Sequence, residues 1–137
     1  MSELTQQNGL FSWFELVTGD VEGAKAFYGE LLGWQFELNT ETGMEYTLVK
    51  IDGVPQPVAG MFDKKHIAGE DADRIPSHWG NYITVADVDA AAERVAGLGG
   101  TVIVPPKDIP GVGRFAVIQD PQGAVVSLIT YAYAPMG

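Results

Sequence analysis

A tryptophan and a glutamate two residues apart, Trp13 and Glu15, carry the first hint of chemistry in this chain. They lie in the aromatic and β-branched run Phe11–Thr18, which reads as a strand, and a strand's period of two puts Trp13, Glu15 and Val17 on one face. Glu15 there would anchor a cationic or hydrogen-bonding ligand, act as a general base, or serve only as a structural carboxylate bonded to Tyr82 or an arginine. Trp13 offers a flat ring for stacking. In the second half, His78 and Tyr82 share one face of another strand, where His78 is an acid or base, half of a metal site rebuilt with Glu15, or a partly exposed strand-start imidazole. Ser127 is the one polar side chain in Ala124–Ile129. Arg114 follows Gly111-Val112-Gly113 and would clamp an anionic ligand or pair with a surface carboxylate.

Helices and turns must hold these strands. Asp20 is a good N-cap for the helical spacing that runs from Val21 to Leu32, and Gly33 suits its left-handed stop. Strands follow at Trp34 to Leu38, Glu45 to Ile51 and Val54 to Phe62, the last weakened by Pro55 and Pro57. The charged stretch Asp63 to Pro76 reads as a linker, with His66 a solvated loop histidine. His78 to Val85 then reads as a strand, Asp87 as a cap, Val88 to Leu98 as a helix stopped by Gly99-Gly100, Thr101 to Val104 as a strand and Pro105 to Gly113 as a loop. Asp120-Pro121-Gln122-Gly123 closes a β-hairpin, since proline presets the turn and glycine accepts the positive φ that ends it.

The second half repeats the first. Asp20 to Asp87 is 87 − 20 = 67 residues and Gly33 to Gly100 is 100 − 33 = 67, so the chain holds two β-α-β-β-β units, about 10–62 and about 77–131. Glu15 and Tyr82 are counterparts under that offset. The expectation is a single α+β domain over 1–137 in which neither unit buries its sheet face alone, so the units pair within a chain or across a dimer. Tyr28 and Tyr46 read as packing, and Trp34 and Trp79 as core or as contacts between copies.

The bulk composition excludes several functions. A formal charge of −10 repels nucleic acid and anionic membranes. No apolar run approaches the roughly 20 residues of a membrane span, and Met1 to Gly9 lacks a signal-peptide pattern, so the expected location is cytoplasmic. The absence of cysteine removes disulfides, thiolate nucleophiles and Cys-metal sites.

Gly19-Asp20, Phe27-Tyr28 and Leu32-Gly33-Trp34, with Val85 to Asp89, Gly99-Gly100 and Asp120-Pro121-Gln122-Gly123, resemble the vicinal oxygen chelate superfamily of glyoxalases, bleomycin-resistance proteins and extradiol dioxygenases. Trp13-Phe14-Glu15-Leu16, Lys25-Ala26-Phe27-Tyr28, Pro57-Val58-Ala59-Gly60 and Trp79-Gly80-Asn81-Tyr82-Ile83 are similar to its branch of actinobacterial antigens and hydroxylase-named proteins, often tandem domains. The resemblance implies a curved mixed sheet forming a cup with helices on its convex side, and a homodimer. In metal-dependent members four ligands project into the cup, at positions that fall here on Trp13, Gly60, Gly80 and Ser127. Two glycines, an indole and a lone hydroxyl make a poor donor set. The expectation is therefore a protein without metal or cofactor that binds or sequesters a small aromatic or cationic molecule. Trp13, Glu15, His78, Tyr82, Arg114 and Ser127 line its site, and Arg114 stands at the mouth. The alternatives are a lyase, isomerase or hydroxylase-like enzyme using Glu15 as base or a shifted metal site with His78, and an interaction subunit with a filled cup.

Overall fold

The structure is a computed structural model that describes residues 6–40, 45–68, 74–109 and 112–132. Its elements alternate as β1 (Phe11–Thr18), α1 (Val21–Leu32), β2 (Gln35–Asn39), β3 (Tyr46–Lys50), β4 (Ala59–Asp63), α2 (Lys65–Ala68), β5 (His78–Thr84), α3 (Val88–Val95), β6 (Thr101–Ile109), β7 (Gly113–Gln119) and β8 (Val125–Tyr131). The fold is mixed α+β, and the β-α-β-β-β order occurs twice.

The chain divides into two compact units, a first of Phe14–Gly80 and a second of Met1–Trp13 with Asn81–Gly137. The cut falls inside β1 because the chain just before it is tied to the second half. Gly9 N–H donates to Thr84 O at 2.7 Å, Thr84 N–H to Leu10 O at 2.8 Å, and Ala86 N–H to the Asn8 side chain at 2.9 Å.

In the first unit the strands run β2-β3-β4-β1, with β1 parallel to β4 and the rest antiparallel. Asp20 caps α1 by accepting from Gly23 N–H at 2.8 Å, and Gly33 ends it in the left-handed region at φ 73°. Leu16, Val49, Ala59 and Met61 are buried, with Val21, Ala24 and Tyr28 of α1 packed on them. β4 begins only at Ala59, since Pro55 and Pro57 have no N–H to give a ladder. The expected linker begins in regular structure: Asp63 belongs to β4, and its carboxylate accepts from Lys65 N–H at 3.0 Å to open the single turn α2. His66 is exposed on that turn, 5.5 Å from the Phe62 ring.

The second unit runs β5-β8-β7-β6, with β5 parallel to β8. Val88, Ala116 and Leu128 form its helix-side core with Ile83, Val85 and Ile118. Asp87 caps α3 through Asp89 and Ala90 N–H, at 3.0 and 3.2 Å. Its last turn tightens to a 3₁₀ turn at Ala96–Leu98, and the left-handed stop is Gly99 at φ 92°. A turn of three residues comes round sooner than one of 3.6, so the stop glycines are 99 − 33 = 66 apart. Gly100 is needed for space instead, because a Cβ there would lie 2.7 Å from Gln119 O.

The loop expected from Pro105 is strand. β6 continues to Ile109, with irregularities between Val102 and Val104 and between Val104 and Lys107. β6 is an edge strand, so Pro105 and Pro106 sit where the register already shifts and no ladder bond is lost. The hairpin forms as expected: Asp120 N–H donates to Ala124 O at 2.8 Å, the Asp120 carboxylate accepts from Gln122 and Ala124 N–H, and Gly123 has φ 95°. Among the described residues no helix is long and apolar enough to cross a membrane.

Candidate functional site

Each unit has a sheet face turned away from its helix, and the candidate side chains divide between the two faces. In the first unit Leu16 and Met61 pack under α1, so strand alternation puts Glu15, Val17, Gly60 and Phe62 on the opposite face. Glu15 is only 7% exposed. It stands beside Gly60 in the parallel register, and Gly60 faces Leu48 on β3. Tyr46, two residues along β3, reaches across Gly60 and donates its hydroxyl to Glu15 Oε2 at 3.0 Å. A Cβ on Gly60 would overlap the Tyr46 hydroxyl and ring. Gly60 has no positive φ, so it is glycine for space and not for backbone freedom.

In the second unit the equivalent face is aromatic. Tyr82, Ile129 and Tyr131 are buried together, with Trp13, Val112 and Phe115 packed against them. Tyr82 and Phe115 rings are 6.4 Å apart, and Lys107 Nζ lies 6.0 Å from the Phe115 centroid. Tyr82 is the register partner of Ser127, and Ser127 that of Val117. Ser127 is half-buried. Behind the rings runs a hydroxyl chain, Thr84 to Ser12 at 2.8 Å and Ser12 to Tyr131 at 2.8 Å.

Two further candidates lie elsewhere. His78 is exposed, with Nδ1 2.8 Å from Pro76 O. Arg114 shares the parity of Ala116 and Ile118, which pack under α3, and so lies on the helix side of β7, opposite Phe115. The guanidinium donates twice to Asp89 at 2.7 and 3.0 Å and once to Asp108 at 3.1 Å. The Asp89 carboxyl is held below its ordinary value, first by hydrogen bonding from Arg114, and Arg114 is raised by its two carboxylates. Of the two roles open to Arg114, surface pairing is the one this geometry builds. An open depression of about 490 Å³ beside it is lined by Asp108, Ile109, Gly113, Thr130 and Tyr131 among others. Its polar groups are engaged: Thr130 Oγ1 accepts from Val88 N–H at 2.9 Å and donates to Val85 O at 2.8 Å.

Residues 10–128 match the model of the Glyoxalase/Bleomycin resistance protein/Dioxygenase superfamily. The chain belongs to that family. It is 36% identical over 127 residues to the Mycobacterium tuberculosis protein named "Putative glyoxylase CFP32", covering 92% of this chain and 46% of that protein. It is 32% identical over 127 residues to the Streptomyces peucetius anthracycline biosynthesis protein DnrV, covering 88% and 46%. The chain thus spans about half the length of the curated relatives it matches. Among solved structures, a methylmalonyl-CoA epimerase bound to methylmalonyl-CoA and NH4+ aligns with TM-score 0.62 at 19% identity, over 96% of this chain and 100% of that one. A Bacillus halodurans protein, BH1468, aligns with TM-score 0.65 at 10% identity, over 96% and 100%. These two likenesses concern the fold alone.

Metal-dependent members of the glyoxalase superfamily would need donors at Trp13, Gly60, Gly80 and Ser127, and the residues there do not fit an ion. Any side chain at Gly60 would meet Tyr46, an indole N–H only donates, and Gly80 has nothing to offer. Among the described residues no three His, Asp or Glu gather in a group that could hold a metal. The residue the sequence reading passed over is Tyr46, read there as packing. A glycine in mid-strand with ordinary φ was the available signal, because it marks where a neighbouring ring needs room.

Proposed function

We propose that this glyoxalase-family protein binds or sequesters a small planar aromatic molecule without a metal, as a homodimer. The observation that carries the reading is the face of the second unit, where Trp13 and Phe115 pack against the buried Tyr82, Ile129 and Tyr131, with the half-buried Ser127 as register partner of Tyr82. Flat rings with hydroxyl tips stack on planar ligands and orient them by a few hydrogen bonds. In the first unit Glu15 is the group that would attract a cationic ligand, and the net charge of −10 adds long-range attraction for cations. The name of the DnrV relative, anthracycline biosynthesis, supports a flat polycyclic ligand class.

Fluorescence titration with an anthracycline and with proflavine, an unrelated planar cation, tests the proposal. Saturable quenching of the native protein is expected, weakened roughly tenfold by Trp13→Ala, in line with about 1.4 kcal/mol for one lost stacking partner. Absence of saturable quenching with either probe would sink the reading.

A second reading, an enzyme using Glu15 as base, is favoured by the burial of that carboxylate and the hydrogen bond that holds it. In its metal-dependent version Glu15 acts with His78. Elemental analysis of protein purified without chelators separates the two, since stoichiometric metal that is lost in Glu15→Ala would overturn the metal-free proposal.

A further inference from the structure

The irregular course of β6 brings a cation to the ring side of the second unit. Thr101 pairs with Gln119 at the start of the strand, and an unbroken antiparallel ladder from there would set Lys107 opposite Gly113. Register shifts between Val102 and Val104 and between Val104 and Lys107 set it opposite Phe115 instead. Bulges of this kind re-aim the side chains that follow them. Directly opposed residues of an antiparallel pair share a face, so Lys107 stands with Phe115, while Asp108 stands with its partner Arg114 on the helix side. The Lys107 ammonium lies 6.0 Å from the Phe115 centroid, close enough for the ring to attract it, and Phe115 is in turn 6.4 Å from Tyr82.

The other lysines are placed differently. Lys25, Lys50 and Lys65 lie 2.8, 3.3 and 3.8 Å from Glu22, Glu37 and Asp63, and Lys64 donates to Ile75 O at 2.7 Å. The positions of β6, β7 and β8 that share a face with Lys107 hold no Asp or Glu, and Asp108 and Asp89 on the opposite face are taken up by Arg114. A lysine on an edge strand often serves only to keep that strand from pairing with another chain. Here Pro105 and Pro106 already deny β6 two ladder N–H groups just before it, so the edge is blocked without the lysine.

We propose that Lys107 sets the selectivity of this face, and that the planar aromatic taken there carries an anionic oxygen, as a carboxylate or an ionised phenol, at the edge of its ring system. The inference rests on the reading that the rings of the second unit bind a planar aromatic. A ring laid against Phe115 brings an edge substituent to the ammonium, which has three N–H bonds to donate. The net charge of −10 opposes an anion at long range. That field is screened over about 8 Å at physiological salt, whereas a contact pair lies well inside this distance, so local pairing decides which ligand is held.

Fluorescence anisotropy titrations with anthracene-2-carboxylate, anthracene-2-carboxamide and anthracene-2-methylammonium test it, because these probes share a ring system and differ in charge. The native protein should hold the carboxylate about fivefold more tightly than the carboxamide, the value of one exposed ion pair at about 1 kcal/mol. Lys107→Met keeps the apolar stem and should bring the carboxylate down to the level of the carboxamide, while Lys107→Arg should keep the preference. Raising NaCl from about 50 to about 500 mM should shrink the preference of the native protein. Lys107 is exposed, so both variants should melt with the native protein. Equal binding of carboxylate and carboxamide by the native protein, or a preference that survives Lys107→Met, overturns the role of Lys107 and leaves the rings as a planar-ligand site. A tighter hold on the methylammonium than on the carboxylate does the same. No saturable binding of any of these probes overturns both.

Discussion

Replacing Gly60 by alanine is the sharpest test of how the first unit's sheet face is built. The added methyl would overlap the hydroxyl and ring of Tyr46, so the tyrosine must swing aside. Overpacking a tight site costs about 1–3 kcal/mol. Displacing Tyr46 also removes its bond to Glu15, and a hydrogen bond to a charged group contributes about 1.5–3 kcal/mol. Glu15 is buried, so water cannot readily replace the lost donor. The two effects together come to about 2.5–6 kcal/mol. At roughly 2.1 cal/mol/K of unfolding entropy per residue, a chain of this length should then melt about 9–21 °C lower. Thermal and urea unfolding of Gly60→Ala, Tyr46→Ala and the double variant measure this. Since Tyr46→Ala removes the obstacle, the double variant should be less destabilised than the sum of the singles by about 2 kcal/mol or more. A melting point of Gly60→Ala within about 3 °C of native, or strictly additive costs, would refute the steric argument.

Two other outcomes follow from the second unit. The Asp89 carboxyl lies below its ordinary value of 3.8 because Arg114 bonds to it, so the pair stabilises the fold above the ordinary carboxylate range and that contribution is lost as pH falls through the folded value. In Arg114→Gln the Asp89 titration followed by NMR should move up, and the stability difference from native should shrink as the pH drops below about 3.8. Gly99→Ala should cost about 1–2 kcal/mol because φ is 92° there, while Gly97→Ala, with open space at its Cβ and no positive φ, should be neutral or slightly stabilising; paired urea melts compare them.

The helices and the hairpin were legible because each rests on local chemistry: Asp20 and Asp87 at the caps, Gly33 at a stop, Asp120 and Gly123 in the turn. The misread stretches depend on neighbours. Pro105 and Pro106 argue for a loop when taken alone, and only the edge position of β6 and its shifted register let them stay in a strand. Gly100 rather than Gly99 was aligned with Gly33, since sequence spacing does not register a final turn wound as 3₁₀. The parity of β7 sets Arg114 with Ala116 and Ile118 and apart from Phe115, a signal that the expectation of Arg114 at the mouth of the site left unused. Tyr46 was harder, because its role depends on a ring crossing to the next strand over a residue with no side chain.

The register shows that this crossing is a property of the duplicated unit. Glu15 pairs with Gly60 and Tyr82 with Ser127, both 67 residues apart in the repeat. Gly60 faces Leu48, whereas Ser127 faces Val117, so the third strands are offset by 117 − 48 = 69. Under that offset the counterpart of Tyr46 is Phe115. Each unit therefore sets an aromatic from its third strand against a side chain of its first: Tyr46 bonds to Glu15, and Phe115 lies against Tyr82. The shared backbone fixes where the two side chains meet, and their identities set the chemistry. The first unit holds a carboxylate in place through a phenol; the second has two rings and a cation over one of them. A carboxylate in place of Tyr82 would lie against Phe115, which has no hydroxyl to hold it, so the same backbone position can carry a held carboxylate only in the first unit.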